Sequence, residues 1–281
     1  MRGLLLVLLS TLPAAAAPTA SLLDEGVGAR VMAMGGAGVA SVDDATALYW
    51  NPARLSALKD HEREAVVAHA ELSEGRAQYA GYAQQADDSW GGVGALYRDR
   101  PGRPAGDFET SDFALMMGYA KRENEGTAGL SAKYLRSRVP GASAHSFAAD
   151  LGVANSDEGR TTALALRNMG PGLKYGRFKK DLPLTAAMGF GYKAGEVAMG
   201  LDYEYRPFTG AHDAGAGVEW EFFKGFLARG GWTTKDEKAP RLVVSRGFTF
   251  GGGIRLAGLR LDYAFRPKAG RFHRFDAAYR F

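Results

Sequence analysis

The sequence has no cysteine and, after residue 16, no long apolar run. Without cysteine there are no disulfide frameworks, thiol nucleophiles or thiolate metal sites. No later stretch approaches the roughly 20 apolar residues that a membrane-spanning helix requires, so a bundle of membrane helices is excluded. The formal net charge is only +4 over 281 residues, and so weak an excess gives no support for nucleic acid as a partner.

Motifs for enzymatic chemistry are missing as well. The five histidines show no H-E-x-x-H or H-x-H spacing, so no metal site, cofactor or catalytic residue is predicted. Ser146 follows His145, but neighbouring residues on a strand point to opposite faces and cannot form a nucleophile–base pair. Residues 35–40 are glycine-rich, yet the strand and amphipathic helix that flank a dinucleotide-binding loop are absent from the pattern. A membrane-barrel hydrolase that uses His273 or His145 remains a minor alternative.

Glycine, in contrast, is abundant: it occupies 38 of 281 positions, about twice its usual share of ~7%. Such a content suits tight turns and closely packed strands better than helices. From Arg63 onward the sequence falls into runs of about ten residues that alternate with period two. The clearest run places apolar residues on one parity and charged residues on the other: Leu259, Leu261, Tyr263 and Phe265 against Arg260, Asp262 and Arg266.

Fourteen such runs are predicted, and an even number is what a closed antiparallel barrel of the bacterial outer membrane requires. Every long connection follows an odd-numbered run, so the long loops share one end, which is extracellular if the N-terminus is periplasmic. A soluble sandwich or propeller would alternate too. The predicted strands are 63–71, 76–85, 89–98, 111–121, 127–137, 145–155, 160–168, 182–193, 196–206, 212–222, 225–234, 246–256, 258–266 and 271–281.

The C-terminal residues favour the membrane barrel over the soluble alternatives. Phe275, Tyr279 and Phe281 share one parity of the last run, and we expect them on the lipid face near the periplasmic aromatic girdle. This aromatic ending resembles the signal by which the outer-membrane assembly machinery recognises its substrates. The predicted class is therefore all-β, a 14-stranded antiparallel transmembrane β-barrel.

The first sixteen residues are typical of a secretory signal peptide. Arg2 supplies the positive charge, residues 4–9 an apolar core, and residues 14–17 small side chains for cleavage, which we expect after Ala16. The apolar core is too short for a membrane anchor. The sequence thus divides into a signal peptide (1–16), an N-terminal segment (17–60) and the barrel (61–281).

Residues 17–60 lack strand alternation and carry helix signals. Ser41, Asp43 and Asp44 are candidate caps for a helix over residues 45–49. Asn51 followed by Pro52 is typical of an N-cap with proline at the first helical position. Two short helices and a turn at Gly35–Gly36 are therefore predicted here.

Two segments carry a resemblance to known families. Residues 28–56, GARVMAMGGAGVASVDDATALYWNPARLS, look like the N-terminal signature shared by FadL-type outer-membrane transport barrels and the PorV/PorQ family. Both families pair a glycine-rich stretch with an acidic "DDA" and an "NPA" box. Residues 163–193 resemble the PorV/PorQ pattern of a strand ending in "N-x-G", a loop and an "LP" that opens the next strand. Arg54 stands where the families usually have glycine.

The resemblance implies a short N-terminal helical plug, or hatch, in the lumen of the barrel. In such a plug Gly35 and Gly36 would let the backbone run close to the wall, and Asp43, Asp44 and Asn51 would offer acceptors to lumen arginines. Charges of both signs on the lumen parity favour a salt-bridged interior over an ion-selective pore. These residues are Arg167, Arg229, Arg255, Arg260, Arg274, Asp150, Asp202, Glu219, Asp262 and Asp276.

Two functions follow from the resemblance, both non-enzymatic and both in the outer membrane. One is FadL-like uptake of small hydrophobic molecules past the plug, and the other is a PorV/PorQ-type role with secretion-system proteins. Short loops without a long apolar segment favour the second. Transport or secretion across the outer membrane is the broad prediction, with membrane lipid, lipopolysaccharide and the assembly machinery as partners. Lipopolysaccharide is expected at basic loops, which include Arg98, Arg100, Arg103, Arg138, Lys174, Arg177, Lys179, Lys180, Arg206, Lys235, Lys238, Arg241, Arg266, Lys268 and Arg271.

Overall fold

A computed structural model describes residues 21–59, 62–72, 75–100, 110–235, 247–267 and 272–281. The signal peptide expected at residues 1–16 lies outside the described residues. So do five of the basic loop residues named above and one histidine: Arg103, Lys238, Arg241, Lys268, Arg271 and His61. Within the described ranges, no helix has both the length and the apolar character needed to cross a membrane.

Fourteen antiparallel strands of the described chain close into one barrel, in which the first strand pairs with the last. Each predicted run coincides with one of these strands, so the predicted fold class is confirmed. The strands are β1 (Arg63–Leu72), β2 (Gly75–Ala86), β3 (Ser89–Arg100), β4 (Thr110–Glu123), β5 (Gly126–Val139), β6 (Ala142–Asp157), β7 (Arg160–Met169), β10 (Thr185–Ala194), β11 (Val197–Arg206), β12 (Ala211–Phe223), β13 (Phe226–Thr233), β14 (Phe248–Leu256), β15 (Leu259–Phe265) and β16 (His273–Arg280).

The connections sort by length onto the two ends of the barrel. At the short-turn end, two-residue turns such as Glu158–Gly159 and Ala257–Gly258 have positive φ at both central positions. That geometry matches the twist of the flanking strands. At the opposite, long-loop end, the connection from β7 to β10 contains a hairpin that the sequence pattern did not reveal: β8 (Leu173–Tyr175) and β9 (Phe178–Lys180). Strands of three residues are too short to give a periodic signal.

The wall separates an apolar outside from a polar inside. On β15, Leu261 is 46% exposed while its neighbour Asp262 is 4% exposed. From β10 to β16, no outward position carries Asp, Glu, Lys or Arg. Such an outward apolar band is what a hydrocarbon environment requires of a transmembrane barrel.

The N-terminal segment fills the inside of the barrel, and we call its residues 21–58 the plug. It contains 3₁₀ turns at Ser21–Leu23 and Pro52–Ala57 and two short helices, α1 (Ala29–Ala33) and α2 (Ala47–Trp50). The first helix was not predicted. The second begins two residues later than expected, because Asp44 accepts a hydrogen bond from the Thr46 amide (2.8 Å) instead of capping the helix.

Candidate functional site: the plug in its seat

Glycines of the wall let the plug backbone lie directly on the strands. A Cβ added to Gly231 would come within 2.2 Å of the Gly35 amide nitrogen, and one on Gly217 within 2.4 Å of the Met34 Cα. Gly35 itself has φ 73° and would place a Cβ 2.3 Å from the Trp232 carbonyl oxygen. Gly36 differs from the expectation: a Cβ there would meet nothing within 4 Å, so only its φ of 79° favours glycine.

A chain of ion pairs ties the first half of the plug to strands β12 to β15. Arg30 of α1 binds both carboxylate oxygens of Glu219, at 2.9 and 3.2 Å, and also reaches Asp43 at 3.2 Å. Glu219 in turn accepts from Arg229 (2.6 Å), which lies 2.8 Å from Asp262. Because all these groups except Asp43 are buried, each charge depends on its partner for compensation.

Arg260 completes the network from β15. Its guanidinium pairs with Asp44, reaches Asp43 at 3.3 Å and lies 2.7 Å from Asp262. Burial inside the barrel opposes ionisation of Asp43, but the surrounding arginines, Arg30 and Arg260 first among them, hold the pKa of its carboxyl well below the usual range. Asp43 therefore stays ionised, and Asp43 and Asp44 of the plug together bind the guanidinium of Arg260 in the wall.

Other lumen charges hold the plug by its backbone. Asp276 accepts from the Ala29 amide, and Asp202 accepts from the Val39 amide at 2.7 Å. Arg274 donates to the carbonyl oxygens of Gly26 (2.7 Å) and Glu25 (2.6 Å). These contacts satisfy plug backbone groups that have no partner within a helix or strand, the first amide of α1 among them, and that would otherwise be buried without partners.

A bulge in β7 brings a second polar cluster to the lumen. Two residues, Arg167 and Asn168, stand there opposite Asp150 of β6. Lys133 Nζ lies 2.6 Å from Asp150 and donates to Asn168 Oδ1 at 2.8 Å, while Arg167 pairs with Glu204. Lys133, Asn168 and Glu204 were not singled out from the sequence, although Lys133 and Glu204 lie on the inward parity of their strands.

The plug also touches the seam where the barrel closes. Glu64 of β1 and Arg280 of β16 are register partners and form an ion pair of 2.5 Å. Glu64 accepts from the Ala45 amide at 2.9 Å, and Arg280 donates to the Asp43 carbonyl. One stretch of the plug therefore contacts both terminal strands of the barrel.

The structure adds detail to the expectations for Arg255 and Asn51. Arg255 lies on the inward parity of β14, as expected, but at the short-turn end of the strand, where its exposed side chain pairs with Glu221 at 3.3 Å. Asn51 caps the 3₁₀ turn at Pro52–Ala57, as the Asn-Pro pair predicts: its side chain accepts from the Ala53 amide (3.0 Å) and donates to the Val39 carbonyl oxygen (3.1 Å). The implied contact between Asn51 and a lumen arginine is not found among the described residues.

The expected position of one aromatic residue is wrong. Phe275, Tyr279 and Phe281 are all exposed on the outer face. Phe275, however, follows the start of β16 by two residues, so it lies toward the long-loop end and not in the girdle at the short-turn end. A ten-residue strand pattern fixes which face a residue occupies but not its depth.

Apolar side chains cover the second half of the plug and the mouth above it. Leu48, Leu55 and Leu58 pack with Trp90 and Met116 of the wall. Toward the long-loop end the same core continues as a group that we call the mouth cluster: Leu22, Leu23, Leu96, Leu135, Leu173 and Leu182, with Tyr175 packed against the core. Beside the plug, a lumen cavity lined by Met32, Trp50 and Glu204 among others has a volume of only about 40 Å³.

These features define a class: a transmembrane β-barrel closed by an internal plug. No protein-family model matches the sequence, and no curated protein sequence matches it. Solved structures do. The toluene transporter TbuX of Ralstonia pickettii has a TM-score of 0.64 at 12% identity, over 91% of this chain and 97% of that chain. The toluene transporter TodX of P. putida has a TM-score of 0.58 at 14% identity, over 91% and 97%.

A Pseudomonas aeruginosa FadL homologue is similar too, with a TM-score of 0.58 at 10% identity over 87% of this chain and 93% of that chain. Identities this low establish the fold alone. The chain thus has the fold of the FadL-like barrels.

Proposed function

We propose that this chain is an outer-membrane transport barrel that admits small apolar molecules at its long-loop end and releases them past the plug. The observation that carries the proposal is the mouth cluster, which places buried leucines directly against the plug at the end where the loops are long. Apolar lining with few polar groups is the usual character of a site for hydrophobic ligands.

Ion conduction fits the lumen poorly. The lumen charges of the described residues are paired with one another or bound to plug backbone, so this part of the chain offers no unpaired ring of one sign to a passing ion. The cavity beside the plug is far smaller than the 300 Å³ or so of a typical ligand pocket. Passage of any molecule therefore requires the plug to shift.

The names of the similar structures agree with this function, since two of them are toluene transporters. A PorV/PorQ-type role in secretion is the second candidate, favoured by the tightly filled lumen and the resemblance at residues 163–193. In that role the barrel would hold exported proteins at its loops and move no small molecule. A hydrolase receives no support from Ser146, which is buried and faces the lumen while His145 faces outward.

Location and assembly complete the proposal. The exposed aromatics of the last strand, Tyr279 and Phe281, stack at 5.7 Å on the outer face, where the assembly machinery would read them and the membrane would accommodate them. Exposed basic residues of the loops at the opposite end, such as Arg177 and Lys179, would meet lipopolysaccharide. Arg98 would not, because it is buried inside the barrel and pairs with Glu25.

The β8–β9 hairpin supplies the test, because Leu173 is 2% exposed in the mouth cluster while Phe178 is 80% exposed. Uptake of a radiolabelled monoaromatic hydrocarbon and of a fatty acid would be measured in proteoliposomes. We expect Leu173→Asn to lower uptake on the order of tenfold, because an apolar contact of the route is lost, while Phe178→Asn leaves it unchanged.

Heat-modifiable mobility on gels would verify that both variants are folded barrels. If wild-type protein takes up neither substrate but captures exported proteins in pull-downs, the secretion role is the better account. An equal loss of uptake in Leu173→Asn and Phe178→Asn would show that the mouth cluster is not part of the transport route.

A further inference from the structure

The outer surface of β4, β5 and β6 carries an unusual group of cations near the long-loop end. Arg136 and Arg138 of β5 both face outward and are exposed. In the register of the sheet Arg136 lies between Phe113 of β4 and the exposed His145 of β6. Arg138 lies between two serines, Ser111 and Ser143. Together with the histidine and the serines, the arginines form one polar patch on the membrane-facing wall.

Two outward cations elsewhere on the strands have carboxylate partners, whereas Arg63 and Arg160, which also face outward without an ion pair to any described carboxylate, lie at the short-turn end. Arg76, at the same end of the barrel, pairs with Asp99 at 3.0 Å, and Lys121, at the opposite end, pairs with Glu123 at 3.1 Å. In the described part of the chain, no carboxylate lies within ion-pair distance of Arg136 or Arg138. Neither internal pairing nor the apolar membrane interior explains two neighbouring arginines at this place.

The surface immediately below the patch is apolar. Tyr134 and Phe147 lie one step further along the outward parity, with ring centroids 5.4 Å apart. Leu115 flanks Tyr134 on β4 and is 43% exposed. Residues i and i+2 of a strand are separated by about 6.6 Å, so the arginines lie directly above the edge of the hydrocarbon band. That is the level of lipid headgroups.

The chemistry of the patch selects its ligand. Two guanidinium groups can hold a phosphate through paired, charge-assisted hydrogen bonds, and the flanking serine hydroxyls can donate to its remaining oxygens. The aromatic pair below provides a surface for acyl chains. A molecule that satisfies both parts carries a phosphate directly above hydrocarbon chains, as a phosphorylated membrane lipid does.

We propose that Arg136 and Arg138, with His145, Ser111 and Ser143, form a binding site for the phosphate group of a lipid in the leaflet at the long-loop end. The site lies on the outside of the wall, away from the plug and the mouth cluster, so it does not depend on the transport route. It rests on the proposed contact of basic residues at this end with membrane lipid, to which Arg138 belongs, and assigns that contact to a defined patch. It fixes a lipid against β4–β6 and sets the depth of this side of the barrel in the membrane.

Native mass spectrometry of the purified barrel, titrated with diphosphorylated lipid A, tests the site. We expect the double variant Arg136→Gln/Arg138→Gln to bind lipid A with an affinity at least about tenfold lower than that of the wild type, because two charge-assisted contacts are lost. Arg76→Gln is the matched control, since it removes an outward arginine at the same end that already has a carboxylate partner. We expect its affinity to stay within about twofold of wild type.

Two further ligands separate the possible sources of the phosphate. Lipid A without phosphates should bind the wild type as weakly as lipid A binds the double variant. Inorganic phosphate alone should not compete at concentrations equal to the lipid, because it lacks the apolar contact with Tyr134 and Phe147. Competition by inorganic phosphate at that level would show an anion site that is not a lipid site, and would overturn the proposal.

Unchanged lipid A affinity in the double variant, or an equal loss in Arg76→Gln, would overturn it as well. Should the double variant fail to insert, Arg136→Lys/Arg138→Lys keeps both charges and removes the bidentate geometry. We then expect the lysine double variant to bind lipid A more weakly than Arg76→Lys does, although the loss should be smaller than in the glutamine double variant. Equal lipid A affinities of the lysine double variant and Arg76→Lys would contradict the site.

Discussion

The two halves of the plug meet the wall in different ways. Residues 29–44 contact β10 to β16 mainly through ion pairs, hydrogen bonds and close backbone approaches, with Arg30 and Arg260 at the centre. Residues 47–57 contact β3 to β6, with leucines that pack on Trp90 and Met116. Apolar packing is non-directional and tolerates exchange of similar shapes, whereas desolvated ion pairs demand one geometry. The comparison indicates that the ionic half sets the position of the plug and the apolar half supplies packing energy.

Arg260→Met should have the largest effect, because it leaves Asp43, Asp44 and Asp262 without their shared cation. Loss of one partner from a buried ion pair costs about 3 to 5 kcal/mol. The free energy of unfolding in urea would measure it, with Arg255→Met as control because that arginine is exposed. Similar stabilities for the two variants would contradict an ionic anchor.

The apolar half is tested by Leu48, whose exposed fraction is 0%. Leu48→Ala should cost about 2 to 5 kcal/mol of unfolding free energy, while Leu48→Met should cost less than about 1.5 kcal/mol. Arg260→Lys, the equally conservative change on the ionic side, should remain strongly destabilising because lysine cannot make the forked contacts. If Leu48→Met and Arg260→Lys cost the same, the two halves do not differ in the proposed way.

A smaller effect is expected at the wall glycines against which the plug backbone lies, Gly217 and Gly231. Gly231→Ala would place a methyl group 2.2 Å from the Gly35 nitrogen, whereas a methyl group on the neighbouring Gly230 would meet nothing within 4 Å. Overpacking of this kind typically costs about 1 to 3 kcal/mol. Protease sensitivity of residues 21–58 should rise in Gly231→Ala and stay unchanged in Gly230→Ala. Equal sensitivity would show that the plug does not rest on this part of the wall.

Much of the barrel could be predicted from the sequence because period two is a local signal. For Leu261 and Asp262, the alternation of apolar and charged residues alone predicts which one lies on the outer face and which one faces the lumen. The pairing of Arg30 with Glu219 could not be predicted, since these residues are 189 positions apart. Both are charged residues with many possible partners, and only the closed barrel determines which of them meet.

The bulge at Arg167 and Asn168 could not be predicted from the period-two alternation of the sequence either. An inserted residue shifts the parity at the very end of β7, where too few residues follow to reveal the shift. Helix α1 was missed because its five residues, ARVMA, lie between glycines and carry no capping side chain. Local signals of this length do not specify a helix, and packing in the lumen decides its conformation.

The most direct test of the account is whether an apolar molecule can pass while the plug is fixed. The chain has no cysteine of its own, and a Cβ on Gly191 would lie 3.7 Å from the Cβ of Ala40, close to the ~3.8 Å of a disulfide. Uptake of a labelled monoaromatic hydrocarbon by the Ala40→Cys/Gly191→Cys barrel would be measured before and after reduction. The account predicts that uptake is blocked while the cross-link is intact and returns on reduction, and equal uptake in both states would contradict it.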